Sequence, residues 1–239
     1  MTDPRPALHV HDTGLASPAW NMAVDRALLE SDRGPTLRLY GWRPSGLSLG
    51  HFQTLDPALE AHHRSAGHGI VRRLTGGGAI FHADELTYSL SGPDGVGPFA
   101  GPVDASYRRV HDVLLALFRD LGVEATYAEG APRALSRREQ PFLCFARSTA
   151  LDLAVGSRKL VGSAKRRRGG RALQHGSIIL RPHPENGEVA GLADLASSPI
   201  DREILGAAFA RQLAAALGLE PRFEPLPAPI AARADLPTG

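Results

Sequence analysis

A single mixed α/β domain is the fold class that the sequence predicts, and three observations predict it. The 239 residues are 43% apolar, enough for one sizeable core. Segments with helical and with strand periodicity alternate along the chain, and neither an internal repeat nor a convincing interdomain linker divides them.

In order, the stretch SPAWNMAVDRALLES has a Ser17-Pro18 start and apolar residues at helical spacing, so a helix capped by Ser17 follows a short tail. TLRLYGW and GLSLGHF alternate like strands on either side of Arg43 to Gly46, and DPALEAHHRS reads as a short helix. GIVRRL and LTYSLSG are two further strands flanking Gly76, Gly77 and Gly78. Gly92 to Asp104, GPDGVGPFAGPVD, is too rich in glycine and proline for regular structure and reads as a long loop or lid. DASYRRVHDVLLALFRDLG is the clearest helix, with Asp104 as cap and Gly122 as stop. ALDLAV, RKLVGSA and LQHGSIIL predict a meander interrupted by the basic run Lys165 to Arg168. DREILGAAFARQLAAALG is the last helix expected, and PLPAPIAARADLPTG an end with little order. These readings place the folded domain at residues 8–225, with 1–7 and 226–239 as tails.

Lys and Arg number 27 against 25 Asp and Glu, a net charge of +2 that gives no ground for a nucleic-acid partner. Cys144 is the only cysteine, so no intrachain disulfide forms and a reducing compartment fits. The N-terminal residues carry no apolar signal core and no stretch reaches the roughly 20 apolar residues of a membrane span, so a cytoplasmic protein with no membrane association is expected.

The chemistry gathers at RRLTGGGAIFHADELTYSL, Arg72 to Leu90. Three glycines give up side-chain packing, so they mark either a tight turn between strands or a backbone that another group must approach. The spacing is neither that of a dinucleotide fingerprint nor that of a phosphate loop. Arg72, Arg73 and Thr75 surround the turn with cations and a hydroxyl, and its N–H groups could face a carbonyl or an anion. Cys144, between Leu143 and Phe145, is either a small buried hydrophobe or a nucleophile whose thiolate a cation stabilises. Lys159 is the candidate cation, and a solvated strand lysine is its ordinary alternative. His62, His63, His68, His82, Asp84 and Glu85 match no known metal spacing and read as loop and strand-edge solvation, so no metal is expected. Lys165 to Arg168 with Arg171 is either an exposed hairpin tip or a docking surface. No serine-hydrolase motif is present.

Taken together, NMAVDRALLE, LRLYGWRPSGLSLGHFQ, RRLTGGGAIFHADELTYSL, RKLVGSA and LQHGSIIL resemble, in that order, the biotin/lipoate protein ligase superfamily in its lipoate ligase and octanoyltransferase branch. The resemblance implies a biotin/lipoate protein ligase-like catalytic domain, a mixed, mostly antiparallel sheet flanked by helices. Within the branch, ELTYS and Cys144-Phe145 followed by Lys159 resemble the cysteine-type octanoyltransferases, in which that cysteine is the nucleophile and that lysine lowers its pKa. The implied donor is octanoyl on the phosphopantetheine of acyl carrier protein, and the implied acceptors are lipoyl-domain proteins such as glycine cleavage H protein, with no cofactor. Arg72, Arg73, Thr75, Gly76, Gly77, Gly78 and His82, with Gly162, Ser163, His175 and Gly176 of the later strands, are the substrate-binding residues that the resemblance implies. GGGAIF is closer to the ligases. The alternatives are therefore an ATP- and magnesium-dependent lipoate-protein ligase, in which Cys144 is only core, and a noncatalytic acyl-binding module.

Overall fold

The computed structural model describes residues 6–129 and 149–235. Strand β1 (Ala7–Ala16) leads into helix α1 (Pro18–Glu30), where the Ser17 hydroxyl accepts the Trp20 N–H and Pro18 takes a first-turn position that needs no donor. β2 (Thr36–Trp42) and β3 (Gly46–Leu49) precede α2 (Pro57–Ser65), whose cap Asp56 accepts from the amides of Ala58 and Leu59. β4 (Gly69–Arg72), β5 (Ile80–His82) and β6 (Glu85–Pro93) follow, then α3 (Val103–Asp120), which ends where Gly122 adopts a φ of +78°. β7 (Thr126–Tyr127), β8 (Leu153–Val155), β9 (Arg158–Arg168) and β10 (Arg171–Ile179) complete the middle of the chain. The short α4 (Leu192–Leu195), α5 (Arg202–Ala216), β11 (Glu220–Phe223) and α6 (Ala228–Ala234) close it.

The main sheet has the order β11-β1-β2-β6-β10-β9-β8-β7, and a three-stranded sheet has the order β4-β3-β5. Pairing is antiparallel from β2 through β7 and parallel where β1 meets β2 and β11, so the mixed, mainly antiparallel architecture expected of the family is the one observed. Alternation then decides what each face touches. Leu37 and Leu39 of β2 and Leu86, Tyr88 and Leu90 of β6 pack with Val110, Leu114 and Phe118 of α3 and Phe209 and Leu213 of α5. The intervening residues Arg38, Tyr40, Glu85 and Thr87 point to the other face, which α1 covers. Both faces of β2 are therefore buried, and the second is polar.

Four sequence expectations are corrected here. β1 and β11 extend the sheet beyond the strands expected. The segment Gly92 to Asp104 is no lid: β6 runs on to Pro93, a 3-10 turn at Gly97–Phe99 buries Phe99 completely, and α3 begins at Val103 with Pro102, rather than Asp104, in the cap position. The basic run does not interrupt the meander but lies within β9, the turn being made by Gly169 and Gly170 at φ +56° and +72°, as a two-residue hairpin requires. Residues 228–234, placed in an unordered tail, form α6, which buries Ile230 and Ala234 against Val24 and Leu28 of α1.

Candidate functional site

The polar face of β6, β9 and β10, together with α1 and the small sheet, encloses a pocket of about 680 Å³ of unfilled space, partly open to solvent. The triple-glycine turn forms one wall: Gly76, Gly77 and Gly78 all line the pocket, beside Arg73. What approaches this backbone is partly the protein itself. A Cβ on Gly50 would collide with the Gly77 carbonyl, so two stretches of main chain touch where any side chain would part them. Arg73, 2% exposed, donates to the carbonyls of Ser48, Gly76 and Gly78 at 3.0, 2.8 and 2.6 Å, and so holds the turn from within.

Behind the turn a polar chain runs into α1. Thr75 Oγ1 meets His175 Nε2 at 2.7 Å, and His175 Nδ1 faces Asp25 Oδ2 at 3.3 Å. Asp25 also accepts from Arg38 and from the Tyr40 hydroxyl, each at 3.0 Å. Burial pushes the Asp25 carboxyl up, but the His175 hydrogen bond and the Arg38 guanidinium outweigh it and the net shift is down. Burial lowers His175, against the pull of Asp25. A second cluster lies under the pocket at Glu85, which accepts from Trp42 Nε1 at 3.1 Å, Ser177 at 2.8 Å and the Thr87 hydroxyl. His82 stacks on Trp42 at 3.7 Å between ring centres, with Nδ1 2.8 Å from Glu85 and Nε2 2.7 Å from Ser48 Oγ. Burial pushes Glu85 up, yet His82 and the two hydroxyls turn the net shift downward.

The opposite wall carries Lys159, which is 4% exposed and not a solvated strand lysine. Its Nζ lies 2.9 Å from Asp152 Oδ2, and the same carboxylate oxygen accepts the Thr149 amide at 2.7 Å. Gly162 leaves the space this lysine needs, since a Cβ there would lie 2.7 Å from Lys159 Cε. On the next turn of the pleat, Gly176 of β10 separates Tyr88 of β6 from Ser163 of β9, its registered neighbours on either side. A Cβ on Gly176 would strike both side chains, and without one the Tyr88 hydroxyl reaches Ser163 Oγ at 2.7 Å. His111 Nδ1 lies 2.6 Å from the Leu151 carbonyl, which can only accept, so Nδ1 carries the proton and Nε2 accepts from Ser163 at 2.7 Å. The hydroxyl direction follows: Tyr88 donates to Ser163, and Ser163 to His111. Burial takes the His111 pKa down to about 4 and the Tyr88 pKa up to about 12, so both are neutral at pH 7.

Of the residues the sequence singled out, the structure brings together Arg73, Gly76 to Gly78, His82, Lys159, Gly162, Ser163, His175 and Gly176 around one pocket. Thr75 stands behind it, on His175. Arg72 is outside: its guanidinium donates to the carbonyls of Gly50, His51 and Gln53 and shapes that loop. Cys144 lies outside the described residues. His63 and His82, read as solvated, are buried. The metal-ligand grouping among the described residues, His62, His63 and Glu185, does not line the pocket. Much of the basic run has partners within the chain: Lys165 donates to Ser106, Arg167 pairs with Asp94, and Arg171 donates to the Leu29 and Arg33 carbonyls. Asp25, Glu85, His111 and Asp152 were not singled out as site residues. Asn21 and Asp25, four residues apart on the buried face of α1, and Asp152 inside the apolar alternation of ALDLAV were the available signals.

Comparison with known proteins agrees with this geometry. Octanoyltransferase LipM of Moorella thermoacetica is 42% identical over 71% of this chain and 63% of that protein, so the chain spans less than two thirds of its length. Octanoyltransferase LipM of Kyrpidia tusciae is 37% identical over 89% of this chain and 87% of its own. Among solved structures, a bipartite lipoate protein ligase studied with its E2 lipoyl domain, from Thermoplasma acidophilum, superposes with a TM-score of 0.71 over 97% of this chain and 91% of that one, at 19% identity, and speaks for the fold alone. The model of the lipoyl protein ligase A/B catalytic domain matches residues 17–191, and the chain belongs to that family.

Proposed function

We propose that this chain is an octanoyltransferase, moving octanoyl from acyl carrier protein through a thioester on Cys144 to a lysine of a lipoyl-domain protein such as glycine cleavage H protein. The observation that carries the reading is the Lys159 ammonium, buried at the pocket wall and oriented by Asp152. The same carboxylate holds the amide of Thr149, itself a pocket residue and five positions after Cys144 in the sequence. A cation near a thiolate favours the nucleophilic form. The names of the relatives support octanoyl as the group transferred.

The chemistry balances without ATP. The Cys144 thiolate attacks the acyl carbonyl, a new C–S bond forms, and the donor C–S bond breaks to release phosphopantetheine thiolate, which takes up a proton. The acceptor amine then attacks, loses a proton as the amide forms, and returns the Cys144 thiolate. Donors of the glycine turn offer hydrogen bonds to the carbonyl oxygen as charge develops. Six or seven buried methylene-like carbons at ~0.8 kcal/mol each hold the octanoyl tail by roughly 5 kcal/mol.

Mixing the full chain with octanoyl-acyl carrier protein, without ATP, and measuring its intact mass tests this. One octanoyl mass is expected on the protein, labile to hydroxylamine and absent from Cys144→Ala. An unmodified chain, transfer that demands ATP, or full transfer by Cys144→Ala overturns the proposal and points to an adenylating ligase.

A further inference from the structure

Glu185 stands in the 3-10 turn Pro184–Asn186, and two imidazoles of α2 reach it from different sides. His62 Nε2 lies 3.0 Å from Glu185 Oε1, and His63 Nε2 lies 4.0 Å from Oε2. Adjacent side chains on a helix diverge by about 100°, so they can serve one point only if it lies in the wedge between them. Glu185 fills that wedge: one ligand atom from each of the three residues lies within 4.8 Å of the others. Donors bound tetrahedrally at about 2.0 Å are about 3.3 Å apart, a small adjustment from this arrangement.

His63 is already braced for ligation. Its ring stacks on Phe81, 23° from parallel, and its Nδ1 lies 3.2 Å from His68 Nδ1. When His63 Nδ1 donates to His68, its Nε2 lone pair is left facing Glu185, the arrangement that outer partners impose on metal-binding histidines.

We propose that His62, His63 and Glu185 form a binding site for a divalent transition-metal cation, zinc first among them, that pins α2 to the Pro184–Asn186 turn. Two nitrogens and one carboxylate suit zinc, nickel or copper better than magnesium or calcium, which prefer all-oxygen sites. The pinned turn matters to the pocket. Asn186 brackets β5 by accepting the Phe81 N–H at 3.1 Å and donating to the Phe81 carbonyl at 2.7 Å, and a few residues on Ala190 N–H donates to the Lys159 carbonyl at 2.9 Å.

The test is calorimetric titration of the full, chelator-stripped chain with zinc chloride, with thermal melts alongside. One equivalent should bind and raise the melting midpoint. His62→Ala and Glu185→Gln should each weaken binding at least tenfold and abolish the rise, while Cys144→Ser should bind as the wild type does. His62 is exposed and glutamine keeps an acceptor for it, so both variants should fold, as circular dichroism will show. Equal binding by the variants, loss of binding in Cys144→Ser, or a midpoint that zinc leaves unmoved overturns the proposal and returns the group to an ordinary ion pair.

Discussion

Arg73 and Lys159 are two nearly buried cations on opposite walls of one pocket, and their surroundings answer them differently. Arg73 spreads its donors over three main-chain carbonyls, which no point mutation can remove, and the Thr75 hydroxyl. Lys159 faces a carboxylate, a partner that can be neutralised by changing one residue. A planar fork with several donors suits the shaping of a turn, whereas a compact ammonium suits presenting charge at one point. The glycine wall is thus built as scaffold and the β9 wall as the electrostatic part of the site.

The strongest way to break this contrast is Arg73→Met. Two buried carbonyls and the half-buried one of Gly76 would lose their Arg73 donors at once, and at about 1–3 kcal/mol for each unsatisfied group the variant should lose about 3 kcal/mol or more in urea unfolding. A loss below about 1 kcal/mol would show that the turn holds its shape unaided.

Lys159→Met should cost about 3 kcal/mol by itself, because it strands the Asp152 charge in the interior. Adding Asp152→Asn should recover most of that stability while restoring neither acyl transfer nor the alkylation rate of Cys144. Recovery of the thiol's reactivity together with stability would remove Lys159 from the chemistry.

Spread over pH, the gentlest effect per unit is a slope on the β9 wall. With a folded pKa near 4 against an ordinary 6.5, His111 stays neutral in the fold where the unfolded chain takes up a proton. Stability should therefore fall as pH drops from 6.5 toward 4, by up to about 1.4 kcal/mol per unit from this group. In His111→Gln that part of the slope should vanish. Parallel slopes for the two proteins would mean that Ser163 does not hold the ring as neutral acceptor.

Periodicity made α1, α2, α3, α5 and the central strands legible, because each pairs a clean repeat with a cap or turn residue. β1 was missed since His9, His11 and Asp12 read as polar tail; of the three only His11 is buried, in a strand that pairs in parallel with β2 and β11. α6 was hidden by Pro227 and Pro229, which stand at the cap and in the first turn, where a proline costs no hydrogen bond. The end of β9 was misjudged by charge, although Gly169-Gly170 was the better guide to where the hairpin turns.

In the site, glycines and Lys159 were legible because odd residue types in strands draw notice. Asp152 and Asp25 were not, since their roles exist only across 7 residues of bulged hairpin in one case and 150 residues of sequence in the other.

The contact of Gly50 with Gly77 bears on how such a pocket can diversify. At that contact a Cβ on Gly50 would part the two stretches of main chain, so neither drift nor an engineer can adjust the bore there without opening the turn. Variation must come from the side-chain walls, where Met22 and Ile80 also border the space. Those two positions are where a library aimed at longer or branched acyl groups should start.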